Sequence, residues 1–331
     1  MKKLTITLVL VAAVVALAFA TGTKENLVIR LGHIRDTNNP THLAAVRFQE
    51  LVQKSSGGRI TVKVFPNSQL GTPNEMFAQM QSGDLEMVYG GIQTFTFIKG
   101  GELFEITAVP FLFSTYGHIR KVLTSDFLKP YIEKVENATK IKIVNMNGMK
   151  DPRGLTTKGK PVNSLADLKG LKIRVAQSEL NLKVWKALGA LPQVIPYSDL
   201  YMALKTGMVD AQENGSVTVK SASFFEVQDY YVKTDYSRDV ETFYAGLDFW
   251  NKLSKADQNL IYKATEQAGN YETELMEQQL KDVYSFLKTK LTVIENPDVA
   301  SMRKALEDAN IFAERAAAWP PGMLDYIKNA K

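Results

Sequence analysis

The sequence contains no cysteine, which excludes several kinds of protein at once. Without a thiol the chain has no disulfide framework, no cysteine nucleophile and no lipid-modified cysteine behind a leader. Histidine is scarce too: the 3 histidines, His33, His42 and His118, do not stand at metal-ligand spacing. The sequence therefore predicts neither a zinc centre nor a Ser-His-Asp site, and it places His42 and His118 at the surface or at helix starts.

Common enzyme and nucleic-acid motifs are also missing. The chain has no P-loop, no G-x-S-x-G elbow and no G-x-G-x-x-G fingerprint. It has no dense Lys/Arg run with interleaved aromatics, so nucleic acid is not expected as a partner. We expect no catalytic residue, no metal and no cofactor. The paired carboxylates of a glycosidase stay open, because the chain has 35 Asp and Glu residues.

The first 20 residues have the pattern of a secretory signal peptide. Lys2 and Lys3 precede the apolar run Leu8–Ala20, which ends in a small-x-small cleavage pattern at Ala18-Phe19-Ala20. This run is shorter than the roughly 20 residues of a membrane-spanning helix. The pattern predicts cleavage near Ala20 and a soluble periplasmic protein, with an uncleaved anchor as the alternative.

The remaining chain alternates between strand-like and helix-like segments. Leu27–Leu31 has the apolar pattern of a strand, and Asn39-Pro40 then offers a helix cap and a first-turn proline. The same alternation restarts after Ile141–Asn147. About 310 residues after cleavage suffice for two cores. The sequence therefore predicts an α/β protein with two lobes, each built on a mostly parallel sheet.

A long helix is predicted over about 254–290, because helical periodicity continues from Ser254 without a proline before Pro297. Such a helix approaches 50 Å at about 1.5 Å per residue, so it would lie across both lobes. We assign 1–20 to the signal peptide, 21–150 and 240–279 to lobe 1, and 151–239 and 280–331 to lobe 2. The first boundary rests on Gly148 and the Asp151-Pro152 break.

Two arginines are candidate anchors for an anion. Arg174 lies in the apolar segment Lys172–Val175, and Arg153 follows the Asp151-Pro152 break. A guanidinium can donate two parallel hydrogen bonds to one carboxylate. A structural ion pair with Asp or Glu is the alternative for either arginine. Asn214 follows an apparent strand and could contact a ligand or form a turn.

The segments together resemble the solute-binding proteins of TRAP transporters, the DctP-like family. The resemblance extends in order over nearly the whole mature chain. The segments that carry it are Arg30–His33, Phe65–Gly71, Pro110–Phe113, Lys160–Val175, Leu188–Ala190, Pro196–Tyr201, Ala203–Leu204 and Val209–Asn214.

This resemblance implies a two-lobed fold like that of type II periplasmic binding proteins, with the ligand between the lobes and the long helix bracing both. It implies that Arg174 grips a substrate carboxylate and that Arg153 is the second arginine of the family. It also implies an aromatic contact from Tyr197 and a polar contact from Asn214. The expected contacts from lobe 1 are His33, Arg35, Thr72, Gly91 and Gln93.

The implied function is capture of an organic acid and its delivery to the membrane subunits of a TRAP transporter, by a monomer. A periplasmic enzyme acting on an organic acid and a ligand-sensing subunit of a membrane receptor are the alternatives. The solute could be a dicarboxylate, a sugar acid or a keto acid. Sialic acid is disfavoured, because Tyr89-Gly90-Gly91 stands where the sialic-acid binders have an acidic residue.

Overall fold

The structure is a computed structural model that describes residues 26–313, 315–316 and 319–330. The predicted signal peptide, 1–20, lies outside the described residues. The described chain forms two separate sheets, with helices packed on them. The predicted two-lobed α/β architecture is therefore confirmed.

The lobe 1 sheet has the strand order β2-β1-β3-β10-β4. Strand β1 pairs in parallel with β2 and β3, whereas β10 runs antiparallel to both β3 and β4. As a result the carboxyl ends of β1, β3 and β4 meet at one edge, together with the start of β10. These strands are β1 (Leu27–Gly32), β2 (Ile60–Phe65), β3 (Met87–Gly91), β4 (Ile141–Met149) and β10 (Val240–Gly246).

The lobe 2 sheet has the order β11-β9-β5-β8-β6-β7. Strands β6, β7 and β8 are parallel, and β5 runs antiparallel to β8 and β9. The start of β5 therefore lies beside the carboxyl ends of β6 and β8. These strands are β5 (Arg153–Thr157), β6 (Lys172–Val175), β7 (Leu191–Val194), β8 (Ala211–Gly215), β9 (Tyr230–Ser237) and β11 (Thr292–Ile294).

The helices follow the predicted alternation. None of the described helices is long and apolar enough to cross a membrane. The α-helices are α1 (Pro40–Ser55), α2 (Pro73–Ser82), α3 (Tyr116–Leu123), α4 (Lys129–Thr139), α5 (Glu179–Ala187), α6 (Leu200–Lys205), α7 (Ser216–Ser221), α8 (Leu247–Lys252), α9 (Lys255–Lys288), α10 (Val299–Asp308) and α11 (Met323–Asn329). Short 3₁₀ helices span Ile92–Phe97, Glu102–Ala108, Leu165–Leu168, Tyr197–Asp199 and Phe224–Glu226.

The predicted long helix is present as α9, which has 34 residues and packs on both lobes. Near its start, Ala264 and Ala268 join the lobe 1 core around Phe48. Near its end, Val283 and Leu287 join the lobe 2 core. Burial of apolar surface on both sides fixes α9 as a brace between the lobes.

The chain crosses between the sheets twice before α9. The first crossing joins the end of β4 at Met149 to the start of β5 at Arg153. The second joins the end of β9 at Ser237 to the start of β10 at Val240. Both crossings are short, so they can serve as a hinge that changes the angle between the lobes without unfolding either one.

The C-terminal segment differs from the expectation that 280–331 lies wholly in lobe 2. In α11 the carbonyl of Ile327 lies 2.9 Å from His118 Nε2, and Tyr326 stacks on Phe127 at a centroid distance of 4.6 Å. His118 and Phe127 both come from the chain between β3 and β4. His118 lies in the first turn of α3, which is one of its two expected places, but it is buried under α11 rather than exposed at the surface.

A buried carboxyl group fastens α9 to lobe 1. Glu272 is 0% exposed, and its oxygens accept hydrogen bonds from the hydroxyls of Tyr89 and Thr41. The Thr41 hydroxyl lies 2.8 Å from Glu272 and 3.4 Å from Glu241. Burial, followed by the charge of Glu241, raises the pKa of Glu272 well above its ordinary value of 4.5.

We predict that Glu272→Gln becomes progressively more stable relative to wild type as the pH rises above about 4.5, up to the pKa of Glu272 in the folded protein. Above about pH 4.5 the unfolded chain ionises this group while the folded protein resists ionisation, so the wild type loses stability at about 1.4 kcal/mol per pH unit. Glutamine cannot ionise and escapes this loss. Melting temperatures measured across this pH range check the prediction. Glu274→Gln, at an exposed position of the same helix, is the matched control. A stability difference that does not change with pH would contradict the prediction.

Candidate functional site

A cavity of about 100 Å³ lies between the lobes, at the edges where the strands of the two sheets end. In open α/β sheets this edge is the usual place for a ligand. Lobe 1 contributes Arg35, Thr72 and Phe97 to the walls. Lobe 2 contributes others, including Arg174 and Tyr197. We call this cavity the main chamber.

The strand order of lobe 2 explains why two arginines and Asn214 meet there. Strand β8 lies between β5 and β6. Arg174 of β6 is opposite Gln212 of β8, and Arg153 of β5 is opposite Gly215. Asn214 therefore stands between the two arginine-bearing strands. It lies inside β8 rather than in a turn after it, and its Nδ2 donates to Gln212 Oε1 at 2.6 Å.

Arg174 is a buried cation without an ion-pair partner among the described residues. Its side chain is 3% exposed, and Nε donates to the carbonyl of Ile195 at 2.8 Å. Burial lowers the pKa of Arg174 to about 10; Glu213 opposes this shift, and the charge of Arg153 adds to it. The group is still charged at neutral pH. A charged guanidinium in a closed cavity is costly unless it is paired, so an anion that binds beside Arg174 would stabilise it.

Arg153 has a different environment, because it is paired with a carboxylate of its own lobe. Its Nε forms an ion pair with Glu213, and its Nη2 donates to the Glu213 carbonyl at 2.7 Å. The Tyr236 hydroxyl donates to the same carboxylate at 2.5 Å. Burial, the largest single effect, acts to lower the pKa of Arg153, but Glu213, Tyr236 and Asp239 together outweigh it and the net pKa is raised. Arg153 borders the main chamber with its charge already balanced.

Arg35 reaches from lobe 1 across the main chamber to lobe 2. Its guanidinium carbon lies 4.8 Å from the ring centroid of Tyr197, a cation–π contact. Its Nη1 is buried without a hydrogen-bond partner in the described structure. Arg35 and Arg174 thus present guanidinium groups to the chamber from opposite lobes.

The rims of the two lobes are joined by hydrogen bonds through Ser221 at the end of α7. Ser221 Oγ donates to Asp36 Oδ2 at 3.0 Å and accepts from Asn39 Nδ2 at 3.0 Å. Asp36 and Asn39 belong to the lobe 1 loop that carries Arg35. These contacts hold the lobes together, so the structure is the closed form.

Six of the nine residues predicted to bind the ligand border the main chamber. They are Arg35, Thr72, Arg153, Arg174, Tyr197 and Asn214. Thr72 is placed there by its role as the cap of α2: its hydroxyl accepts from Glu75 N at 3.4 Å, and Glu75 Oε2 accepts from Thr72 N at 2.7 Å. This is a capping box, and the order Thr72-Pro73-Asn74-Glu75 is its sequence signature.

His33 lies behind the main chamber rather than on its wall. Its Nε2 is 3.1 Å from His42 Nδ1, and its Nδ1 accepts from the backbone N–H of Arg35 at 3.2 Å. Burial, then the nearby His42 and Arg35, lowers the pKa of His33 to about 3. A neutral His33 therefore shapes the loop that carries Arg35.

Gly91 and Gln93 border two side chambers of about 20 and about 40 Å³, respectively. Gln93 Nε2 contacts the Thr107 carbonyl at 2.9 Å and Ser237 Oγ at 3.1 Å, so its amide connects lobe 1 to the second crossing. A Cβ at Gly91 would lie 2.2 Å from Asp239 Oδ2. Glycine is required at this position because a carboxylate occupies the adjacent space.

Lys150 is a cavity residue that sequence reasoning missed. It lies on the first crossing, is 7% exposed and borders the main chamber and both side chambers. The sequence signal that could have indicated Lys150 is its place in the run from Gly148 to Pro152, which predicts the boundary between the lobes. Among the described residues, no group of three or more His, Cys, Asp or Glu side chains could hold a metal ion.

The family model described as bacterial extracellular solute-binding protein, family 7, matches residues 31–314. A solute-binding protein of Roseobacter denitrificans is 31% identical over 299 residues, covering 90% of this chain and 90% of that protein. The 2,3-diketo-L-gulonate-binding periplasmic protein YiaO of Escherichia coli is 32% identical, covering 93% of this chain and 92% of YiaO.

Solved structures give the same result. The structure of the Roseobacter denitrificans TRAP periplasmic solute-binding protein with bound L-galactonate has a TM-score of 0.82 and 29% identity, covering 92% of this chain and 99% of that chain. The sugar acid binding protein DctPAm of Advenella mimigardefordensis, in complex with galactonate, has a TM-score of 0.84 and 27% identity, covering 93% and 99%. The resemblance carried by the sequence motifs is confirmed: the chain belongs to family 7 of the bacterial extracellular solute-binding proteins, the binding proteins of TRAP transporters, and is not an enzyme.

Proposed function

We propose that this chain binds a hydroxylated monocarboxylate, a sugar acid, between its lobes and delivers it to the membrane subunits of a TRAP transporter. The observation that carries the proposal is the buried Arg174, which has no carboxylate partner of its own among the described residues. The two galactonate complexes and the diketogulonate-binding relative support a sugar acid as the ligand class.

The balance of charges around the main chamber favours a monoanion. Its cations are Arg35, Lys150, Arg153 and Arg174. Arg153 is paired with Glu213, and Lys150 is paired with Asp239. Arg35 has no ion pair in the described structure; burial, the largest effect, acts to lower its pKa, but the nearby Tyr197, Glu241 and Asp151 together raise it. Glu241 is a third carboxylate close to these groups, so three carboxylates face four cations, and one net positive charge is left for a ligand carboxylate to balance at Arg174.

Closure follows from the placement of cations on opposite lobes. A carboxylate that contacts both Arg174 and the Arg35–Tyr197 pair gains binding energy only when the lobes meet. The closed form then excludes water and strengthens the charge-assisted hydrogen bonds. The ligand therefore shifts the population towards the closed form through contacts that the open form lacks.

The other bordering residues take supporting roles in this proposal. Asn214 and Thr72 contact polar groups of the ligand, and Tyr197 packs on its carbon chain while holding Arg35 in place. Arg153 orders Glu213 beneath the carboxylate site. Gly91 and Gln93 shape the side chambers, and His33 acts indirectly through the Arg35 loop.

The proposal also covers where the protein acts and how its chain is divided between the lobes. The leader 1–20 is removed near Ala20, and the mature chain acts in the periplasm as a monomer. Residues 21–150 and 240–279 form lobe 1, whereas 151–239 and most of 280–331 form lobe 2. The short crossings of the chain support these boundaries.

We predict that Arg174→Met weakens sugar-acid binding by roughly 150- to 5,000-fold, the range expected when one partner of a buried ion pair is lost. Methionine keeps the approximate length and the apolar contacts but removes the charge. Isothermal titration calorimetry with L-galactonate and a panel of related four- to six-carbon aldonates measures the effect. Arg47→Met on the exposed face of α1 is the control and should bind like wild type. Equal affinities of the Arg174 variant and wild type would remove Arg174 from its proposed role.

We predict that Ser221→Ala weakens binding about 5- to 10-fold, mainly through faster dissociation. The change removes two hydrogen bonds between the closed lobes, each with a net contribution of roughly 0.5 to 1 kcal/mol, the lower part of the usual range because both are only part-buried. Stopped-flow binding kinetics separate the association rate from the dissociation rate. Ser82→Ala, at the end of α2, removes a hydroxyl that makes no contact with lobe 2 in the described structure. An unchanged dissociation rate in the Ser221 variant would contradict the prediction.

A further inference from the structure

Lys150 occupies a special position, because it borders the main chamber and both side chambers and lies on a hinge crossing. Its side chain is 7% exposed. The residue belongs to neither sheet, since it follows β4 and precedes β5. A ligand that reaches from the main chamber towards a side chamber would therefore lie beside this side chain.

The partner of Lys150 lies on the other crossing. Lys150 Nζ is 3.0 Å from Asp239 Oδ2, and Asp239 lies between β9 and β10. A second carboxylate, Glu241, has Oε1 at 3.9 Å from the same Nζ. Asp239 Oδ1 is already occupied, because it accepts from the backbone N–H groups of Gln93 at 3.2 Å and Val240 at 2.9 Å.

This arrangement leaves hydrogen-bonding capacity that faces the cavity. An ammonium group has three N–H donors, and the described structure gives Nζ one hydrogen-bond partner, Asp239. Glu241 Oε2 is buried without a hydrogen-bond partner among the described residues. The wall of the adjoining 40 Å³ chamber carries the hydroxyl and amide side chains of Thr96, Ser178 and Asn181.

We propose that Lys150 and Asp239 form a second subsite, which binds a hydroxyl group at the end of the ligand away from its carboxylate. A hydroxyl can accept from the ammonium and donate to a carboxylate at the same time. A second carboxylate at this place would face Asp239, which borders the same 40 Å³ chamber, and like charges in a closed cavity repel. The subsite therefore selects polyhydroxy monocarboxylates over dicarboxylates of the same length. This inference rests on the proposed function of the main chamber.

The test compares two acids that differ at one end. L-galactonate ends in a hydroxymethyl group, whereas galactarate has the same carbon chain with a second carboxylate there. In calorimetry the wild type should bind galactonate, or the tightest aldonate of the panel, at least about tenfold more tightly than the matching dicarboxylate. Lys150→Met should weaken aldonate binding by roughly 10- to 100-fold, the range for a lost charge-assisted hydrogen bond. Asp239→Asn should reduce the preference for the aldonate over the dicarboxylate.

Controls separate binding from folding. Lys142 lies on β4, and its ammonium group is paired with Glu136 outside the cavity. The variant Lys142→Met should therefore bind the aldonate like wild type. The double variant Lys150→Met with Asp239→Asn removes both charges of the pair, so it should melt closer to wild type than Lys150→Met while still binding the aldonate weakly. If aldonates bind to wild type and to both Lys150 variants with equal affinity, the subsite is wrong and the proposed function stands. If no aldonate binds to the wild type, the proposed function fails, and the subsite fails with it.

Discussion

The structure depends on one unbalanced charge. Arg174 is buried at the carboxyl edge of the lobe 2 sheet, and its neighbour Arg153 has already taken the nearest carboxylate, Glu213. A buried guanidinium without a counter-ion is costly, so the closed form is best satisfied when an anion enters from outside. Selectivity for an acid, closure of the lobes and exclusion of water all follow from leaving this position open for a ligand.

The remainder of the fold lets a ligand reach Arg174 when the lobes are open and lets the lobes close over it. The two short crossings permit a change in the angle between the lobes, and α9 limits it by packing on both cores. The contacts that form at closure come from one loop of lobe 1, which carries Arg35 towards Tyr197 and Asp36 towards Ser221. The same loop therefore contributes to the ligand site and to the contacts of the closed form, which couples ligand binding to closure of the lobes.

Much of this could be predicted from the sequence because it depends on local patterns. The capping box at Thr72, the apolar surroundings of Arg174 and the uninterrupted periodicity of α9 are all readable within a few turns of chain. The rest depends on pairing between distant residues. Lys150, for example, meets Asp239 across 89 positions. The C-terminal helix returns to His118 across 209 positions, so neither its location nor the burial of His118 could be inferred locally.

The most direct measurement is a crystal structure of the purified protein with a bound sugar acid. The account predicts a carboxylate whose two oxygens lie within hydrogen-bond distance of the Arg174 guanidinium, inside closed lobes. A ligand whose carboxylate lies elsewhere in the cleft, with Arg174 paired to an acidic side chain of the protein, would contradict it.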